Sequence, residues 1–309
     1  MKSKSFIMLL ALTAFACGLF VVTAQEPDDD VRGAFLSSRP KTTNTNASRK
    51  RRPSNANTAS VTAKNANITM NANIAMNANM GTTNTANANT ASTNKNYSNT
   101  SSQTIGLGYT LFMRDPNGRS VRVEPGREFH NGDRVRISLE PNVDGYLYVF
   151  HTEGAGAPEM IYPDPRLGGG ENWLEAHVPL EVPSSEETDE RLRWFTFYGD
   201  PGMERLYVVV TREPLPLVPI GNDLVHFCST NKCPWHPATE LWTRVQEATK
   251  AEVKVVTTKT FGQSQTESEK VATTRGLGLD QSAPQPTVIR MSAATNAAVL
   301  VTVLDLVHK

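Results

Sequence analysis

The stretch Gly145-Tyr146-Leu147-Tyr148-Val149-Phe150-His151-Thr152 decides the fold. It is rich in aromatic and β-branched residues, the types that suit a pleated surface. Alternation puts Tyr146, Tyr148 and Phe150 on one face and Leu147 and Val149 on the other. It is the most strand-like run in the chain, fed by the turn Asn142–Gly145. The aromatic face reads first as core. Its sharper reading is an open platform for a glycan or peptide.

Working outward from this strand, the same chemistry repeats. Arg134–Leu139 alternates, with Val135, Ile137 and Leu139 on one face. Tyr109–Met113 and Ser120–Val123 flank Asp115-Pro116-Asn117-Gly118, where Pro presets φ and Gly accepts a positive φ; together they predict a hairpin. Met160–Tyr162, Trp173–His177, Arg191–Tyr198 and Arg205–Arg212 follow at short spacing between Gly- and Pro-rich turns. Regular short strands with such punctuation predict a mostly β chain, an antiparallel β-sandwich or barrel-like domain. Residues 213–236 read as a connector. Pro237–Ala251 is the one helix expected, with Leu241, Val245 and Ala248 on a shared face. Val253–Thr260, Thr287–Met291 and Ala298–Val307 read as strands, the last nearly all apolar. Gly262–Pro286 reads as a polar loop.

The N-terminal third has a different composition. Lys2 and Lys4 precede the apolar run Phe6–Val22, and Val22-Thr23-Ala24 supplies small residues for a signal peptidase. This is the pattern of a cleavable secretory signal over 1–24. Cys17 would be the acceptor in a lipoprotein, but bulky Phe15 precedes it and the apolar run continues past it. From Lys41 to Thr100, about two thirds of the residues are Asn, Thr or Ala. Residues 25–104 therefore read as a long disordered tether, because so few apolar side chains cannot offset the entropy of ordering it. After residue 40 this tether carries seven Lys/Arg and no Asp or Glu, whereas residues 106–216 hold 19 Asp/Glu, 11 Arg and no Lys. The domain plan is then a signal peptide (1–24), a basic linker (25–104), an all-β domain (105–216) and a C-terminal extension (217–309).

Several short motifs resemble one bacterial family. They run in order: Asn131-Gly132-Asp133-Arg134-Val135-Arg136-Ile137, Asn142 to Phe150, Ile161-Tyr162-Pro163, Asn172, Val182-Pro183, and Asp200-Pro201-Gly202 through Glu213-Pro214. Residues 105–216 resemble domain of unknown function 4384. The resemblance implies an all-β domain of envelope or signalling proteins. It implies no catalytic residues.

Chemistry-bearing residues are few. His226, Cys228, Cys233 and His236 have the residue types of a zinc site. In an oxidising compartment, however, Cys228 and Cys233, with four residues between them, are expected to pair as a disulfide. Asp115, Asp133, Asp144 and Asp164 all fall in turns and could converge on calcium, although such turns are usually only solvated. Asp164–Asn172, with Gly168-Gly169-Gly170 inside it, is a candidate lip over a ligand groove, and Asp164, Arg166 and Asn172 are its candidate contacts. Nucleophile-elbow, metalloprotease and phosphate-loop patterns are absent from the sequence. A hydrolase would have to assemble its site from distant residues such as Asp133, Asp164, His151 and His177.

The sequence therefore predicts a periplasmic or extracellular, non-catalytic interaction module on a flexible linker. Its partner would be a protein or glycan of the envelope. No cofactor, no specific nucleic acid and no spanning segment after signal cleavage are expected. The alternatives are a hydrolase or a structural envelope protein. Cleavage after Ala24 is expected to give a mature chain beginning at Gln25, which intact-mass measurement of exported protein checks; a lipidated chain starting at Cys17 would contradict it.

Overall fold

A computed structural model describes residues 27–41 and 103–309, apart from Lys232. The strands in chain order are β1 (Gly106–Arg114), β2 (Ser120–Arg122), β3 (Glu128–Phe129), β4 (Arg134–Pro141), β5 (Gly145–Glu153), β6 (Glu159–Tyr162), β7 (Trp173–Leu174), β8 (Leu180–Val182), β9 (Phe195–Thr196), β10 (Gly202–Thr211), β11 (Val253–Thr257), β12 (Val288–Ser292) and β13 (Val299–His308). The α-helices are α1 (Pro27–Ser37), α2 (Asn222–Thr230), α3 (Thr239–Ala248) and α4 (Glu267–Arg275).

The strands form two sheets. The first has the order β11-β12-β1-β4-β8, with β2 on β1 and β9 on β4. The second has the order β3-β13-β10-β5-β6, with β7 on β5. Pairing is antiparallel throughout except between β13 and β3. The fold is thus mostly β, two sheets face to face, as the alternation predicted.

Alternation also sets the layers. Leu107, Tyr109 and Leu111 of β1, with Val135, Ile137 and Leu139 of β4, face Leu147, Val149, Leu206, Val208, Val210, Leu300 and Leu304 of the second sheet. The opposite face of the second sheet presents Tyr148, Phe150, Tyr207, Val209 and Val301 to Leu224 of α2 and to Leu241 and Val245 of α3. Trp242 of α3 meets Phe150 and Tyr207 edge-on, at ring-centroid distances of 6.0 and 4.6 Å. The aromatic stripe of β5 is therefore core, and helices cover the face an open platform would need.

Two close contacts fix the register of β5. Asn142, just before it, accepts from the Gly106 amide at 2.6 Å and donates to the Thr104 carbonyl, tying the start of β1 to the turn. A Cβ at Gly145 would lie 2.3 Å from the Thr211 carbonyl oxygen, so only glycine lets β5 meet β10 there.

Several sequence expectations are corrected. The tether expected over 25–104 contains α1, whose Val31 and Phe35 pack with Val256, Ile289 and Met291 on the outer face of the first sheet. A short helix with two apolar anchors four residues apart orders once it has a surface to borrow, even where the surrounding composition cannot build a core. Residues 42–102 lie outside the described residues, as does the expected signal peptide. The C-terminal extension, whose relation to the sheets the sequence leaves open, contributes to both of them: β12 pairs with β1 and β13 with β10. One helix is expected after residue 105, and among the described residues there are three α-helices. The connector holds α2. The polar loop holds α4, which a Thr266–Glu269 capping box starts and Gly276 ends. The strand expected over Arg191–Tyr198 shrinks to β9, because Asp189 caps a 3-10 turn by accepting from the Arg191 amide.

Phe150 is fully buried between sheet and helices. Phe150→Ala is expected to destabilise the fold by about 3–5 kcal/mol, read from denaturant unfolding. Tyr198→Ala, at an 82% exposed position, is expected to change stability by less than about 0.5 kcal/mol.

Candidate functional site

At one edge of the sandwich the two sheets part, and the gap is a cleft of about 560 Å³. That volume lies within the usual range for ligand sites. Met160, Ile161 and Tyr162 of β6 form one wall, and Glu181 and Val182 of β8 form the other. Between β8 and β9, Leu192 of the 3-10 turn and Trp194 add to it, as does Phe195 at the start of β9. Leu224 and Cys228 of α2 and the segment Cys233-Pro234-Trp235 close the end. The bonds Tyr162–Pro163, Val182–Pro183 and Cys233–Pro234 are cis, and all three prolines line the cleft.

Local chemistry explains each wall. β6 is an edge strand, and the Met160 amide donates to the Trp235 carbonyl at 2.8 Å, which brings the tryptophan over the strand end. The Cys228–Cys233 disulfide, with Cα atoms 5.3 Å apart, ties that segment to α2. On the facing wall the Arg136 guanidinium stacks 4.0 Å over the Trp194 ring and donates to Glu181 at 3.0 Å and to the Arg193 carbonyl at 2.9 Å. Gln265 donates to the other oxygen of Glu181. Burial pushes the Arg136 guanidinium below its ordinary value, and Glu181 pulls it back up. A buried pair with its hydrogen bonds satisfied is a positioning device, here for the indole that forms the wall.

The mouth is polar. Asp164 accepts from the Arg166 backbone amide and from its guanidinium, and the side-chain hydrogen bond to Asp164 holds the guanidinium above its ordinary value. Asp164 and Arg166 therefore sit at the rim of the cleft. Asn172, the third expected contact, is fully buried and donates to the Leu147 carbonyl at 3.1 Å, so it serves the scaffold. The triple-glycine segment does not hang free, because the Gly170 carbonyl accepts from the Gly221 amide at the start of α2.

The other candidates disperse. Asp115 bonds Arg119, Asp133 accepts from the His130 amide, and Asp144 accepts from the Ala176 amide. His226 lies on the exposed side of α2, and His236 bonds the Pro158 carbonyl. Among the described residues no group of three or more His, Cys, Asp or Glu is placed to hold a metal ion. Of the hydrolase candidates, His151 lies between Glu159 and Glu204 on the second sheet. His177 instead meets Glu140 through Nδ1 at 2.7 Å and the Ser38 hydroxyl through Nε2 at 2.8 Å. Sequence reasoning missed Glu140 and Ser38, which lie 37 residues before and 139 residues before His177. It also read Tyr162-Pro163 and Val182-Pro183 as family markers alone, although their clustering with Trp235 and Pro234 is what makes the cleft.

What the fold and cleft define is a β-sandwich domain with a preformed apolar cleft at its open edge. The family model described as Domain of unknown function (DUF4384) matches residues 128–214, inside the stretch whose motifs carry that resemblance. This segment runs from β3 through β10 and includes most of the cleft lining. No curated protein and no solved structure matches the chain. Among the described residues no helix is long and apolar enough to cross a membrane.

Burial pushes the Tyr162 phenol well above its ordinary value, and the neighbouring Glu171 carboxylate adds to this. The folded chain keeps that proton, whereas the unfolded chain releases it near pH 10, at about the ordinary tyrosine value. The neutral phenol's contribution to stability is thus full below about pH 10 and lost as pH rises above it. Tyr162→Phe is expected to move the alkaline unfolding midpoint upward, with phenolate absorbance and circular dichroism as the paired readouts. An unchanged midpoint would contradict this account.

Proposed function

We propose that the chain is an exported, non-catalytic binding module whose cleft takes an apolar side chain of an extended protein segment. The observation that carries this reading is the cleft itself. Its lining is mainly proline, aromatic and aliphatic; Asp164 and Arg166 pair with each other at the rim, and the Glu181 carboxylate in the wall is already taken up by Arg136 and Gln265. Such a surface rewards burial of apolar groups and offers few of the polar contacts a glycan requires. The edge strands β6 and β8 on either side leave room for an extended chain to lie along the mouth. Export, supported by the N-terminal sequence pattern, would place the partner in the envelope.

A second reading, an acyl hydrolase, has one observation in its favour: the Ser38, His177 and Glu140 side chains stand in the order and at the spacing of a nucleophile, base and orienting acid. Two details count against it. The Ser38 hydroxyl also lies 2.7 Å from the Phe35 carbonyl, and when it donates there Nε2 must act as the donor. The imidazole itself is buried, with the Phe35 ring edge-on against it.

An array of extended peptides, probed with the full-length chain, tests the proposal. Sequences with a central large apolar residue are expected to bind. Leu192→Glu, at an exposed position on the cleft wall, is expected to weaken them at least tenfold, whereas Leu217→Glu, exposed elsewhere, is expected to leave them unchanged. Binders indifferent to Leu192→Glu, or none at all, would overturn the reading. A serine-directed fluorophosphonate probe decides the alternative: labelling of Ser38 that His177→Ala abolishes would establish the hydrolase.

A further inference from the structure

The segment around Arg39 is held in the manner of a bound peptide. All five guanidinium N–H groups have acceptors. Nε donates to Glu140 at 2.8 Å, one terminal nitrogen to the same carboxylate at 2.7 Å and to the Pro284 carbonyl, and the other to the Asp280 and Ala283 carbonyls. Both partners of the ion pair are buried. This fork geometry is one that a lysine cannot reproduce.

The contacts continue on both sides. The Phe35 ring is fully buried and stands edge-on to His177, with centroids 5.3 Å apart. A Cβ on Gly108 would come within 3.0 Å of that ring, so the glycine in β1 opens the space it occupies. Ser38 bonds His177. Beyond the arginine, the Arg39 carbonyl accepts from the Gln281 side chain and the Pro40 carbonyl from the Gln281 amide. Thus one apolar anchor, one hydroxyl, one arginine and two backbone carbonyls are each read by a separate group of the sandwich. The segment is also distant in sequence, since residues 42–102 separate it from the rest of the described chain.

We propose that this groove, formed by β1, β4, β12, His177 and the 280–284 loop, is a recognition site for a short helix with a Phe in its last turn and an Arg four residues further on, just past the helix end. Residues 27–41 are its resident ligand, bound in cis and separable from the domain. Because the segment belongs to the same chain, its binding is intramolecular, and its occupancy of the site exceeds that of a free peptide of equal affinity. The site is independent of the Tyr162–Trp235 cleft, and its test does not depend on what that cleft binds.

The experiment uses the chain from residue 25 with a specific protease site inserted between Asn77 and Ala78. After cutting, the fragment carrying residues 27–41 is expected to co-elute with the domain at tens of micromolar and to leave it on dilution. The near-ultraviolet circular dichroism of the domain is expected to persist. Fluorescein-labelled peptide 27–41 is then expected to rebind saturably, with Arg39→Lys weakening it at least tenfold and Phe35→Ala at least as much. A fragment released only by denaturant, or a domain that loses its tertiary signal as the fragment leaves, would make residues 27–41 part of the fold and overturn the proposal. Equal binding of the Arg39→Lys peptide would overturn it too.

Discussion

The second sheet is buried on both of its faces, and the other layers follow from that. Leu206, Val208 and Val210 of β10 point into the sandwich while Tyr207 and Val209 point at the helices. A strand with two apolar faces cannot end a structure. It requires a sheet on one side and a cover on the other, and α2 and α3 supply the cover. Placing α2 there brings Cys228 and, through the disulfide, Trp235 to the free edge of β6. The cleft is thus a by-product of how the second sheet is roofed.

The first sheet solves the same problem with fewer residues. Its outer face is apolar only where Val256, Ile289 and Met291 gather, and α1 is just long enough to cover them. Elsewhere this face carries buried ion pairs. Arg122 meets Glu269 of α4, Arg136 meets Glu181, and Arg39 meets Glu140. Each acid sits opposite an arginine from a different part of the chain. Such pairs contribute little net stability, because desolvation offsets the attraction, yet losing one partner leaves a buried charge and is strongly destabilising. They fix which segment docks where.

This division explains what the sequence revealed. Strand positions follow from alternation within a few residues, so Arg134–Leu139 and Gly145–Thr152 could be read directly, with their inward faces. Helix α3 was legible from Leu241, Val245 and Ala248. By contrast, α1 has only two anchoring apolar residues among acids, and α4 has a low apolar content. Both take their place from a single buried charge that meets its partner over 100 residues away, as Arg39 meets Glu140 and Arg122 meets Glu269. Pairing across such separations leaves no local trace in one sequence. The cleft was hidden for a related reason: Tyr162, Val182, Trp194 and Trp235 come together only once both sheets exist.

The strand order has a consequence for how the molecule is made. β13, the last strand, lies between β3 and β10, and pairs with β10 along all ten of its residues. Until residues 299–308 have emerged from the ribosome, β10 has a bare edge carrying Leu206-Tyr207-Val208-Val209-Val210, an apolar run with unpaired backbone groups. The first sheet waits as well, since β1 needs β12. The domain therefore cannot close segment by segment during synthesis, and non-local pairing of this kind is slow. Without residues 299–308 the chain presents at β10 an unpaired apolar strand edge, the kind of surface on which other chains add.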